Sequence, residues 1–93
     1  MSRRNFITKG FNRIGLPTHL PQGAFYIFPD IRSTGLTSDE FCEQLLNEQK
    51  VACVPGTAFG DAGEGFIRVS YAYSIEHIKE AIERIDAFME KFR

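Results

Sequence analysis

Cysteine, excess charge and long apolar runs are all scarce in this sequence, and each shortage excludes a class of protein. The 93 residues carry 11 lysines and arginines against 12 aspartates and glutamates. The resulting net charge of -1 gives no reason to expect a nucleic acid or a membrane surface as a partner. No apolar stretch approaches the ~18 residues of a membrane-spanning helix, and no signal-peptide core follows the basic Arg3 and Arg4.

The two cysteines and two histidines do not have the spacing of a metal site. Cys42 and Cys53 do not form a Cys-x-x-Cys pair, and only His19 and His77 are available to complete a ligand set. The sequence therefore predicts reduced, partly buried thiols in a cytoplasmic protein, with no bound metal. A chain of this length is expected to form one small domain over residues 1–93, and its stability margin is thin.

Apolar residues repeat at helical spacing in three places. The first helix is predicted from Ser2 to Ile14, with Gly15 ending it. The second begins at a capping box formed by Thr37 and Glu40. The third begins at Ser74 and runs towards the end of the chain. The apolar stripe of the second helix is predicted to consist of Phe41, Cys42, Leu45 and Leu46.

Three short runs between these helices have the composition of strands. They are Ala24–Phe28, Val51–Val54, which Pro55 and Gly56 end, and the run from Phe66 to Ala72. The glycine-rich residues 60–65 form a turn into the last strand rather than a phosphate-binding loop, because no helix and no Gly-Lys-Ser/Thr follow. The predicted order is α-β-α-β-β-α, an α+β two-layer sandwich with a small, mainly antiparallel sheet and helices on one face.

One arginine interrupts the last strand. Alternation directs Ile67, Val69 and Tyr71 towards the helices and leaves Arg68 on the uncovered face. Because an unpaired buried guanidinium is very costly, Arg68 must reach water or an anion. Two interpretations stay open: Arg68 pairs with an acidic side chain of a neighbouring strand, or its rigid fork of donors binds a ligand carboxylate.

Other candidates for chemistry are weak. Each of the four lysines has a position typical of solvated charge, with no apolar surroundings that would lower the pKa of an amine for Schiff-base chemistry. Ser70 and Ser74 lack a nucleophile motif. The lysines are Lys9, Lys50, Lys79 and Lys91.

Three segments together resemble a known family. Gln22–Pro29, Val51–Gly60 and Gly65–Ala72 are similar to the C-terminal small domain of pyridoxal-phosphate-dependent aminotransferases of class I/II, the aspartate-aminotransferase-like group of fold type I. The resemblance covers nearly the whole chain. Each motif alone is weakly specific, whereas the three in this order are quite specific.

The resemblance implies roles for four residues. It assigns the binding of the substrate α-carboxylate to Arg68, within the Arg-Val-Ser-Tyr motif. It places Gly23, Gly56 and Phe59 around the active site without a chemical step of their own. It implies no catalytic or cofactor-binding residue in these 93 residues, because the family's cofactor lysine, its aspartate and its phosphate-binding residues belong to a large domain that is absent here.

The expected parent enzyme transfers an amino group from an amino acid to a 2-oxo acid, with pyridoxal 5'-phosphate as cofactor. We expect the isolated domain to be inactive, to bind no cofactor and to self-associate through the surface that docks on the missing large domain; the parent is expected to be a homodimer. Two alternatives stay open: an autonomous ferredoxin-like module that binds amino acids or regulates, and a structural remnant without activity.

Overall fold

Residues 2–20 and 25–93, which the computed structural model describes, contain three α-helices and three short strands in the predicted order α-β-α-β-β-α. Along these residues, no helix has both the length and the apolar character needed to cross a membrane. Short 3-10 turns connect several of the elements. The helices are α1 (Arg3–Arg13), α2 (Ser38–Gln49) and α3 (Ile75–Met89), and the strands are β1 (Tyr26–Ile27), β2 (Val54–Pro55) and β3 (Ile67–Ser70).

The strand β3 is the centre of the sheet, with antiparallel neighbours on both sides in the order β1-β3-β2. Ile27 lies opposite Val69 on one side, and Val54 lies opposite Arg68 on the other. Ile67 and Tyr71 are buried towards the helices, whereas Arg68 is only partly buried on the opposite face. The predicted α+β fold and the predicted alternation of the strand are therefore confirmed.

Polar side chains fix the starts of the helices. The Thr37 hydroxyl accepts from the Glu40 amide at 3.1 Å, and the Glu40 carboxylate accepts from the Thr37 amide at 2.9 Å. Ser74 accepts from the amide of His77 at 3.2 Å at the start of α3. Both caps satisfy amides that would otherwise lack a partner within the helix, and both were predicted from the sequence.

The helix α3 packs against both α1 and α2 over the sheet. Phe41 of α2 and Phe88 of α3 meet edge to face, with ring centroids 5.2 Å apart. On the other side, Gly10 lets α1 approach closely, because a Cβ there would lie 2.5 Å from the end of Ile82. Leu46 is 49% exposed, so its predicted place in the apolar stripe of α2 is wrong; the helix turns it away from the contact with α3.

The strand boundaries differ from the predictions. Regular pairing of β2 begins only at Val54, so the predicted strand Val51–Val54 is displaced towards the C-terminus. Pro55 is the last residue of β2 and still pairs with Ile67, since β2 is an edge strand where a missing amide donor is tolerated, and Gly56 begins the turn that follows. The strand β1 is Tyr26–Ile27 within the predicted Ala24–Phe28, and Ala24 lies outside the described residues.

Candidate functional site

The guanidinium of Arg68 lies between two aromatic rings on the uncovered face of the sheet. Its Cζ is 4.2 Å from the ring centroid of Tyr26 and 4.4 Å from that of Phe59. Both distances lie within the range of a cation–π contact. Because the two rings are 39% and 53% exposed, they orient the cation without covering this face.

The charge of Arg68 has no local counterion among the described residues. All ion pairs found there involve other cations, namely Arg32, Arg84, Lys91 and Arg93. Asp30, at the end of the β1 segment, is bound to Arg32 at 2.7 Å. The pairing of Arg68 with an acidic side chain of a neighbouring strand is therefore not observed in this part of the chain, and the guanidinium stays available to an external anion.

Asp30 is held as a carboxylate by its own arginine. Hydrogen bonds from the Arg32 side chain lower the pKa of Asp30 below its ordinary value, and the Arg32 amide at 2.9 Å contributes in the same direction. The carboxylate is thus ionised at neutral pH and committed to Arg32, which leaves Arg68 without this partner.

Aromatic side chains make the surroundings of Arg68 apolar. Phe28 is 51% exposed and meets Phe59 edge to face, with centroids 6.5 Å apart. We call Tyr26, Phe28, Phe59 and Arg68 together the arginine face. An exposed apolar patch around a cation is typical of a surface that receives a ligand or another domain. Tyr26 and Phe28 were not predicted as site residues, although alternation along β1 places both on the side opposite the buried Ile27.

Close backbone packing positions Phe59. Gly56 and Gly63 lie so near one another that a Cβ on either would collide with the backbone of the other. The Gly56 amide also donates to the carbonyl of Phe66 at 2.8 Å, next to β3. The predicted site residue Gly56 thus supports the turn that carries Phe59. Sequence reasoning did not identify the contact of Gly63 with Gly56, and the only signal for it was the place of Gly63 in the glycine-rich turn of residues 60–65.

The remaining predicted site residues can be placed in part. Phe59 is in contact with the Arg68 guanidinium, while Gly23 lies outside the described residues. The four lysines are all exposed, and Lys91 is bound to Glu48 at 2.8 Å. In the part of the chain that the structure describes, no cluster of histidine, cysteine, aspartate or glutamate could hold a metal ion.

A cavity of about 480 Å³ lies on the helical side of the sheet, between β3 and the helices α1 and α3. Phe11, Val69 and Ile78 contribute apolar walls, and Lys50 and Arg84 lie at its polar margin. Arg68 does not line this cavity, so the arginine face and the cavity are separate features.

Comparison with known proteins gives the family. The family model described as "Aminotransferase class I and II" matches residues 1–85. The chain is 53% identical over 89 residues to the putative aminotransferase YugH of Bacillus subtilis and 54% identical to an aspartate aminotransferase of Pyrococcus abyssi. Each match covers 96% of this chain and 23% of the relative.

Solved structures agree with this assignment. The aromatic aminotransferase from Pyrococcus horikoshii superimposes with a TM-score of 0.93 and 54% identity, over 96% of this chain and 24% of that one. The chain belongs to the class I and II aminotransferase family. The predicted resemblance to the small domain of such an enzyme is confirmed, and the chain spans about 23% of the length of the curated relatives it matches.

Proposed function

We propose that this chain is the part of a pyridoxal-phosphate-dependent aminotransferase that binds the α-carboxylate of the substrate, through Arg68. The parent transfers an amino group from an amino acid to a 2-oxo acid. The observation that carries the proposal is the place of the Arg68 guanidinium on the uncovered face of the sheet, with two rings beside it and no carboxylate partner among residues 2–20 and 25–93.

The surroundings of Arg68 suit a carboxylate. Aromatic faces attract the cation but offer no strong hydrogen-bond acceptor, so the five N–H donors of the guanidinium stay available. A carboxylate can take two of them in parallel, which fixes its orientation as well as its charge. Because Arg68 is on the central strand of the sheet, its backbone is held on both sides. Its contribution is binding and orientation of the substrate, not proton transfer.

The described residues do not fit the cofactor by themselves. Covalent attachment of pyridoxal 5'-phosphate needs a lysine with a lowered pKa in a desolvated setting, whereas the four lysines here are exposed. We therefore propose that a large domain outside this sequence holds the cofactor. On this basis the 93-residue chain alone is inactive. From the family resemblance we further propose that the parent is a homodimer in the cytoplasm.

The arginine face is the surface that we assign to contact with the large domain. Its exposed rings would otherwise stay in water, so we expect the isolated chain to self-associate through them. A strictly monomeric chain in size-exclusion chromatography at high concentration would contradict this assignment. Of the functions weighed from the sequence, an autonomous ferredoxin-like amino-acid-binding module relies on the same arginine, and the family membership favours the enzyme.

The proposal is tested with the complete gene product. Absorbance spectroscopy should show bound cofactor, and a donor screen should find an amino acid that reacts. That amino acid is then compared with the amine that lacks only its carboxylate. We expect the unmodified protein to prefer the amino acid strongly and Arg68→Ala to lose most of this preference while keeping its cofactor. An unchanged preference in Arg68→Ala would overturn the role of Arg68.

A further inference from the structure

Two cysteines on different elements meet beside the sheet. Cys42 is on α2 and Cys53 directly precedes β2, yet their sulfur atoms are 3.2 Å apart. The Cys53 thiol donates to the Cys42 sulfur, and both residues are free thiols. The 11-residue separation in sequence is not a Cys-x-x-Cys motif, so the contact is produced by the fold.

The environment makes the two thiols unequal. The hydrogen bond from Cys53 lowers the pKa of Cys42, since it stabilises the thiolate there. The same hydrogen bond, together with burial, raises the pKa of Cys53. Because the thiolate is the form that attacks a disulfide, the geometry of this hydrogen bond, with Cys53 as donor and Cys42 as acceptor, favours a first attack by Cys42 and a second by Cys53.

We propose that Cys42 and Cys53 form a reversible intramolecular disulfide that ties α2 to the start of β2. The oxidant is a low-molecular-weight disulfide. Cys42 displaces one thiol from it and forms a mixed disulfide, and Cys53 then attacks the Cys42 sulfur and releases the second thiol. The protein loses two protons and two electrons, and the small disulfide is reduced to two thiols.

Local backbone structure favours this closure. A disulfide has a sulfur–sulfur distance of about 2.05 Å, so the two sulfurs must approach by about 1.2 Å. Cys53 lies one residue before the regular pairing of β2 begins at Val54. It can therefore shift without breaking the ladder between β2 and β3.

The position of the pair connects it to the arginine face. Val54, next to Cys53, lies opposite Arg68, and Phe59 follows five residues later in the turn that contacts the guanidinium. A disulfide at Cys53 would hold this edge of the sheet against α2. This disulfide depends only on the contact between Cys42 and Cys53 and not on the proposed function of Arg68.

The test is the exchange equilibrium of the 93-residue chain with reduced and oxidised glutathione. We expect the intramolecular disulfide to form with an equilibrium constant about tenfold or more higher in native buffer than in concentrated urea, because the folded chain already holds the sulfurs together. Mass spectrometry of the trapped product should show a loss of about 2 Da and no glutathione adduct, as expected for two hydrogens removed. The single variants Cys42→Ser and Cys53→Ser should not lose the two hydrogens, and Cys53→Ser, which keeps the attacking thiol, should give the glutathione adduct of Cys42.

A second measurement uses the reciprocal effect on stability. If folding favours the disulfide, then the disulfide favours folding by the same factor, and the urea midpoint of the oxidised chain must lie above that of the reduced chain. An equal or lower equilibrium constant in native buffer, a lowered urea midpoint after oxidation, or accumulation of the glutathione adduct on the unmodified chain would each overturn the proposal.

Discussion

Two arginines beside the same sheet show how surroundings decide the use of a charge. Arg32 is 69% exposed and its guanidinium donates to both carboxylate oxygens of Asp30, from Nε to Oδ1 and from Nη2 to Oδ2. Arg68 is partly buried on the central strand and is held by aromatic rings, with no carboxylate bound to it among the described residues. A cation that a neighbouring carboxylate already neutralises is not free for a ligand, whereas one that only aromatic rings support remains able to bind an anion.

The difference arises from the backbone at each position. Asp30 accepts from the Arg32 amide at 2.9 Å as well as from its side chain, so the carboxylate and its partner belong to one turn. Arg68 is in regular strand structure with paired neighbours on both sides. Its side chain has to leave the sheet on the side away from the helices, where the structure offers rings and solvent.

The largest effect that separates the two arginines is expected in the activity of the complete protein. Arg68→Ala should lower kcat/KM by a factor equivalent to about 2–5 kcal/mol, because a desolvated charge pair with the substrate is lost. Arg32→Ala is the matched control and should leave kcat/KM nearly unchanged. Steady-state kinetics with the identified amino donor measures both values.

A third variant sharpens this comparison. Arg68→Lys keeps the charge but removes the two-point contact, so it should recover only part of the activity that Arg68→Ala loses. Equal activity of Arg68→Lys and the unmodified protein would show that charge alone is needed. An effect of Arg68→Ala as small as the one expected for Arg32→Ala would show that Arg68 does not contact the substrate.

Substitution of Gly63 or Gly65 by alanine should destabilise the fold to different extents. Gly63→Ala places a Cβ against the backbone of Gly56, which cannot give way easily, so it should lower the free energy of unfolding by about 1–3 kcal/mol. Gly65→Ala meets the Arg32 side chain at 2.8 Å, which can move aside, and its cost comes mainly from a φ of +92°. Urea unfolding of both variants gives the difference, and a smaller cost at Gly63 would contradict the close packing.

Much of this arrangement was predictable, because it depends on local sequence. The Thr37 capping box and the alternation around Arg68 need only neighbouring residues, and both were predicted correctly. The contacts of Phe59 with Arg68 and of Cys42 with Cys53 depend on how separate elements dock, so sequence spacing gave no signal for them. The error at β2 has a similar cause, since its pairing with β3, and not its own composition, decides where the strand begins.

Removing one of the rings that contact Arg68 should have an intermediate effect on substrate binding. Phe59→Ala should weaken substrate binding by about 0.5–1 kcal/mol, because one cation–π contact at an exposed site is lost. The change should appear in KM more than in kcat, since the ring orients the guanidinium without taking part in the reaction. Phe25→Ala is the matched control, because this ring is also exposed but contacts Tyr71 instead of Arg68. The centroids of the Phe25 and Tyr71 rings are 5.9 Å apart. Equal KM values for the two variants would remove Phe59 from the site.

The smallest effect is expected from acidification, which protonates Asp30 and so weakens its ion pair with Arg32. The bond to Arg32 lowers the pKa of Asp30 from its ordinary 3.8 in the folded chain. The stabilisation of the fold by the Asp30 carboxylate is therefore fully present above about pH 4, and it is lost as the pH falls through the lowered pKa of Asp30. Asp30→Asn should thus reduce the urea midpoint at neutral pH, and the deficit should shrink as the pH falls below 3.8, the ordinary pKa of the carboxyl, and through the lowered pKa of the folded chain. A deficit that stays constant across this range would show that the turn depends on hydrogen bonds of Asp30 and not on its charge.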